Sequence, residues 1–277
     1  MKKGIRLLVA CDLIFLVLMS LSSYFRGVVS DLGYLLAFAV PITLGWFGAK
    51  RLRYEREEER GLCESDYPHI GITRGGLLDL LPTVFPTVSV VLGIAALTSL
   101  VLNAVTDGSA SFVPNEALWK MILVHALAPA LLEEMLFRYI PLKVLYPYSP
   151  RAAVLLSSLF FALIHLDLYK MPYAFAAGIL LVVVDVMTES VLPSLIIHFI
   201  NNLSSVLLMK YGVNTHFTVI FYSLLALLTL VSVVVIILRR RKYREAVGAA
   251  FGGRVEYDVS VALIGACCIG VALLNLW

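Results

Sequence analysis

The chain has 277 residues, 60% of them hydrophobic and 15% charged, with a formal net charge of +3. A soluble domain carries about 45–50% apolar and about 25% charged residues, and a globule of this size lacks the polar surface to cover such an excess. Composition therefore excludes a soluble globular enzyme, a disordered chain and a disulfide scaffold, and leaves a polytopic membrane protein with no room for a sizeable soluble domain.

Apolar runs fall at 5–24, 31–48, 77–104, 117–146, 151–166, 171–188, 191–209, 217–238 and 258–276. A spanning helix takes about 20 residues. Only helices and closed barrels satisfy their backbone in lipid, and runs of this length without period-two alternation mean helices. The prediction is an all-α polytopic transmembrane helix bundle of eight or nine spans, forming a single membrane-embedded domain over 1–277. The first run follows Met1-Lys2-Lys3 but is long and lacks a small-residue cleavage site, so it reads as a retained span or signal anchor. The stretch at about 49–76 is the longest hydrophilic loop, and within it 51–60 mixes Glu and Arg at helical spacing, predicting a solvated surface helix.

Lys and Arg set the orientation. With nine spans, the side holding Lys2, the 50–74 loop, Lys143, Arg151 and the 239–254 cluster carries 17 of them, against 4 on the other side (Arg26, Lys120, Lys170, Lys210). The N-terminus is therefore expected in the cytoplasm, the 49–76 loop with it, and the basic stretch 239–244 reads as a positive-inside anchor, not a nucleic-acid site. The expected location is a prokaryotic plasma membrane. Of the four cysteines, Cys11, Cys267 and Cys268 lie in apolar runs; none of the four, Cys63 included, has metal-ligand spacing.

Charges inside the apolar runs need a reason, since one at mid-bilayer costs about 2.5–3.5 kcal/mol on insertion scales. The fourth run contains Glu133, Glu134 and Arg138. Glu134 and Arg138 are four apart, on one helix face, and can pair. Glu133 lies about 140° round an ideal helix from Arg138, so it is the carboxylate left available. A carboxylate in a low-dielectric site suits general acid or base work near neutrality. The fifth run ends in Phe161 and His165, and the seventh carries His198 and Asn202, again four apart on one face. The turn at 147–150 is about equally far from Glu133 and His165, so antiparallel helices bring those two to one depth. Each feature alone has a plain reading: a Glu/Arg pair can be a packing device, a lone His a polar contact, an Asn an inter-helix hydrogen bond. Their joint occurrence favours chemistry. His125 reads as structural or interfacial, His69 and His216 as loop residues, and Asp79, Asp167 and Asp185 as span-end residues. Pro141 and Pro193 read as kink and helix-start residues, and Gly178 as a site of close helix packing.

These residues resemble the CAAX protease and bacteriocin-processing (CPBP or Abi) family of glutamic-type intramembrane endopeptidases, to which the Ras-converting CAAX prenyl endopeptidase belongs. The family's Glu-Glu-x-x-x-Arg motif is matched by Glu133, Glu134 and Arg138, its Phe-x-x-x-His by Phe161 and His165, and its His-x-x-x-Asn by His198 and Asn202. The segment 188–194 is also similar, with Glu189 where many members have Gly. The resemblance covers about 120–205 and implies a catalytic core at about 117–210. By it, Glu133 with His165 activates a water for attack on a peptide carbonyl, His198 and Asn202 stabilise the oxyanion, and Glu134, Arg138 and Phe161 support them. It implies no cofactor, no nucleic-acid partner, and a peptide or protein substrate, prenylated or a leader peptide, met in the lipid bilayer. Two other readings stay open: a metal-dependent protease with Glu133, His165 and His198 as ligands, and a non-catalytic transport or immunity protein.

Overall fold

The computed structural model describes residues 1–25, 28–60, 76–105, 116–212, 214–253 and 258–274. The expected helices form. In chain order they are α1 (Lys2–Ser23), α2 (Val28–Arg60), α3 (Gly76–Val105), α4 (118–145), α5 (Pro150–Leu163), α6 (Lys170–Thr188), α7 (Leu192–Tyr211), α8 (Thr215–Leu238), α9 (Arg240–Ala250) and α10 (Val259–Leu274). Six of these, α1, α2, α3, α6, α7 and α8, contain stretches long and apolar enough to cross a membrane. The chain is an integral membrane protein built from helices. α5 and α10 are apolar but shorter. α4 is interrupted by two π turns, Leu123–Leu127 and Met135–Tyr139, which leave helical pieces Leu118–Ile122, Ala128–Glu134 and Ile140–Leu145.

Helix ends follow from local chemistry. Ser149 caps α5 by accepting a hydrogen bond from the Ala152 amide (3.2 Å), with Pro150 at the first helical position. Pro193 likewise opens α7, as expected. Asn214 caps α8 through Phe217 N (3.1 Å), so His216 lies in the first turn of that helix and not in a loop. His69, Cys63 and the remainder of the hydrophilic loop beyond residue 60 fall outside the described residues. The 51–60 segment is helical as predicted, but as a continuation of α2. Arg51–Glu55 (3.2 Å) and Arg53–Glu57 (3.0 Å) pair along it, while Arg56 turns inward over the Tyr148 ring, 5.1 Å from its centroid.

The chain divides into two compact units. The first comprises 1–69, 133–179 and 249–277. Its core is aromatic: Phe15 of α1 meets Phe38 of α2 (centroids 4.7 Å) and the edge of Phe137 of α4 (5.9 Å). Two close approaches need glycine. A Cβ on Gly45 would stand 2.8 Å from Ile140 Cδ1, and one on Gly178 3.0 Å from Ser158 Cβ, so the close packing expected at Gly178 is present. Cys11 and Cys268 are buried free thiols and Cys267 is exposed. The second unit comprises 70–132 and 180–248. Met121, Ala126 and Val206 form a core there with Leu118, Ile122, Phe199 and Leu203. Ser232 Oγ of α8 donates to Ser89 Oγ of α3 (2.9 Å) in a buried contact.

Candidate active site

The first unit holds most of the candidate residues. Glu134 and Arg138 pair as the spacing predicts, with Arg138 Nε 3.6 Å from Glu134 Oε2 and both side chains excluded from solvent. The guanidinium also lies over the Phe161 ring, 4.1 Å from its centroid, a desolvated cation–π contact. Arg138 Nη1 donates to the Phe137 carbonyl (3.3 Å), which also accepts from Ser157 Oγ. One arginine thus joins an acid on its own helix to an aromatic ring on α5, fixing α4 against α5.

Phe161 continues the chain of contacts to His165. The two rings meet edge to face at 5.1 Å, and His165 Nδ1 lies 2.8 Å from the Phe161 carbonyl. A carbonyl only accepts, so Nδ1 carries the hydrogen and Nε2 is left for other partners. His165 sits two residues beyond the end of α5, correcting the expected helical run to 166: the His165 and Leu166 amides close the last turn on Ala162 O and Leu163 O (both 3.2 Å), and Leu166 adopts φ 48. A branched apolar residue in the left-handed region is uncommon. Asp167 then starts α6 by accepting from the amides of Tyr169 (2.9 Å) and Lys170 (3.2 Å). Partial burial works to raise its carboxyl, but the hydrogen bonds from Lys170 and Tyr169 prevail and hold it below the usual carboxylate range.

Glu133 precedes this network and is half-buried. Phe137 and Arg138 are level with Phe161, since they touch it. Glu133 lies beyond the π turn from Arg138 and His165 lies past the end of α5. The π turn Met135–Tyr139 stands between Glu133 and Arg138, so an ideal-helix projection of 100° per residue does not hold across it. Such turns recur at functional sites.

The second unit holds His198 and Asn202, on one face of α7 as expected. His198 is buried, and Asn202 Oδ1 accepts from Asn201 Nδ2 at 3.5 Å, so this contact uses the carbonyl end of the Asn202 amide and not its N–H groups. α7 is anchored ahead of His198: the Ser194 amide donates to Asp185 Oδ1 (3.3 Å) and the Ser190 amide to the Asp185 carbonyl (3.2 Å). Asp185 is therefore a buried anchor and not an interface residue. Glu189 has φ 55 in the turn between α6 and α7. His125 and His216 are exposed. Within either unit, among the described residues, no three His, Cys, Asp or Glu side chains are grouped as a metal ion needs.

Sequence reasoning missed both π turns, for which no sequence signal exists, and the inward Arg56. It also passed over Asp12, a buried carboxyl in α1; an acid in the first apolar run was signal enough to single it out.

Residues 115–204 match the family model of the type II CAAX prenyl endopeptidase Rce1-like proteins. Every candidate residue lies inside that window, and the match supports the resemblance drawn from the three motifs. It covers the middle of the chain and leaves α1, α2, α3, α8, α9 and α10 outside. Comparison with curated proteins and with solved structures gave no match. The Rce1-like match suggests a membrane protease with a peptide or protein substrate.

Proposed function

We propose that this chain is a glutamic-type intramembrane endopeptidase, working within a single membrane-embedded domain whose catalytic core is 117–210. Glu133 is the general base: it takes a proton from a water that attacks the scissile carbonyl. His165 orients that water by accepting a hydrogen bond at Nε2, and Glu133 returns the proton it took to the leaving amine. His198 and Asn202 donate N–H bonds to the developing oxyanion; one such donor is typically worth about 2.7–4 kcal/mol. Glu134, Arg138 and Phe161 hold these groups in place and do not touch substrate.

The observation that carries this reading is the division of labour between adjacent carboxylates. Glu134 is committed to Arg138 in a fully buried pair, whereas the neighbouring Glu133 is only half-buried, and His165, one helix on, has its Nδ1 fixed by a backbone carbonyl. In lipid, the short α5, the π-interrupted α4 and α10 join the six long helices as spans, giving nine, with the N-terminus in the cytoplasm of a prokaryotic cell. The substrate is a membrane-associated peptide, prenylated at a CAAX box or carrying a leader.

The test is cleavage by the purified, reconstituted protein of a prenylated CAAX peptide and of unprenylated leader peptides, wild type against Glu133→Gln. Cleavage of either class that is lost in the variant is expected, and insensitivity to chelators separates this mechanism from a metal-dependent one. Equal cleavage by wild type and variant overturns the proposal.

A further inference from the structure

α8 differs from the other long helices. It is the least buried of the six, with Leu224, Leu227, Leu230, Val234 and Ile237 all exposed along it. An apolar helix this bare faces lipid. It ends at Leu238, which is 79% exposed, and the next residues are Arg239, Arg240, Arg241, Lys242 and Arg244. The cations thus begin where the apolar surface stops, at the depth of lipid headgroups.

α9 sorts these cations by face. Ala246 is buried, and Tyr243 is half-buried with its hydroxyl donating to the Pro82 carbonyl (3.4 Å). Arg240, Arg244 and Val247, at helical spacing, are exposed on another face. Arg241 is paired with Glu245 (2.9 Å). Among the described residues no acid stands within ion-pair distance of Arg240 or Arg244. Two guanidinium groups one turn apart suit a phosphodiester, which they can hold through paired N–H donors. The exposed Leu238 and Val247 beside them suit an acyl chain and offer nothing to a free ion.

We infer that Arg240 and Arg244, at the junction of α8 and α9, form a binding site for an anionic phospholipid headgroup. Basic clusters directly after a membrane span recognise anionic lipids by this chemistry, and the amphipathic α9 lies in the interface with its cations at phosphate level. The site is independent of the peptidase reading.

The full-length protein, reconstituted in phosphatidylcholine vesicles containing spin-labelled phosphatidylglycerol, tests this through the relative affinity for the anionic over the zwitterionic lipid. Each surface cation is worth about fivefold, so Arg240→Gln with Arg244→Gln is expected to lower the preference by about twenty-fivefold. Arg241→Gln, whose charge is already met by Glu245, is expected to change it less than about twofold, and Arg240→Lys with Arg244→Lys to keep most of it. All of these side chains are exposed, so the variants fold. An unchanged preference in the double glutamine variant overturns the inference, as does an equal loss in Arg241→Gln, which would mean unspecific surface charge. Displacement of the labelled lipid by inorganic phosphate would assign the face to a free anion. Capture of a soluble polyglutamate peptide by the wild type alone, with lipid preference unchanged, would assign it to an acidic protein. Either result contradicts a lipid site.

Discussion

α4 and α8 are both apolar segments of one membrane protein, yet they use their polar residues in opposite ways. α4 carries Glu133, Glu134 and Arg138 inside an apolar run, and Arg138 is among the largest fully buried side chains of the chain. Its regular geometry is broken twice by π turns. α8 carries no charge between Thr215 and Leu238, runs without interruption, and is mostly bare. The contrast teaches that high hydropathy marks contact with lipid, whereas charge within a hydropathic run marks contact with protein. The ion pair in α4 is supported by the Phe161 ring over the guanidinium and by the Phe137 carbonyl, which accepts from Nη1, whereas α8 is mostly exposed.

The largest expected effect breaks that contrast at its stronger end. Glu134→Gln or Arg138→Met alone strands one member of a buried pair and is expected to destabilise the protein by about 3–5 kcal/mol, read as a fall in the thermal midpoint in detergent. The combination of Glu134→Leu with Arg138→Met removes both charges and is expected to recover most of the loss, as apolar replacements of buried pairs often do. A double variant as damaged as the singles would show that Phe161 and α5 depend on the guanidinium itself.

A smaller effect of opposite sign is expected in the turn before α7. Glu189 holds φ 55, a conformation that disfavours an L-residue by roughly 1–2 kcal/mol and leaves glycine free. Glu189→Gly gives up chain entropy in return, so the net gain is about 1 kcal/mol, measurable as a raised thermal midpoint. A drop would mean that the exposed carboxylate makes a contact outweighing the strain.

At the weaker end, Ser232→Ala on α8 deletes the bond to Ser89 and is expected to destabilise by only about 0.6 kcal/mol, the usual size for inter-helix hydrogen bonds in membranes. A loss near that of Arg138→Met would erase the distinction between the two helices. The mildest effect belongs to Asp258, the cap of α10. Its hydrogen bonds from Ser260 and the nearby Arg6 hold its carboxyl below the usual range. Its contribution is therefore present above the unfolded carboxylate range and fades as pH falls through its lowered value. Asp258→Asn is expected to remove that acid-side dependence of the thermal midpoint, and an unchanged pH profile would refute it.

Much of this was legible in the sequence because lipid leaves few choices. Apolar runs became helices, Glu134 pairs with Arg138 as helical spacing requires, and Gly178 packs closely against Ser158. What escaped depended on departures from the ideal helix. His165 falls past a helix end because Leu166 turns left-handed, and the π turn after Glu134 changes the angle between Glu133 and Arg138; neither leaves a trace in residue type. Asp185 and Arg56 were read as span-end and surface groups because burial is set by what packs against a residue, which position along a run does not disclose.

The central claim is that the two adjacent carboxylates of α4 have separate tasks. Its most direct test measures single-turnover peptide cleavage and thermal midpoint side by side for Glu133→Gln and Glu134→Gln. A crossed result is predicted: Glu133→Gln keeps the wild-type midpoint and loses cleavage, while Glu134→Gln loses the midpoint and, when held folded at low temperature, still cleaves. Full cleavage by Glu133→Gln would contradict the account.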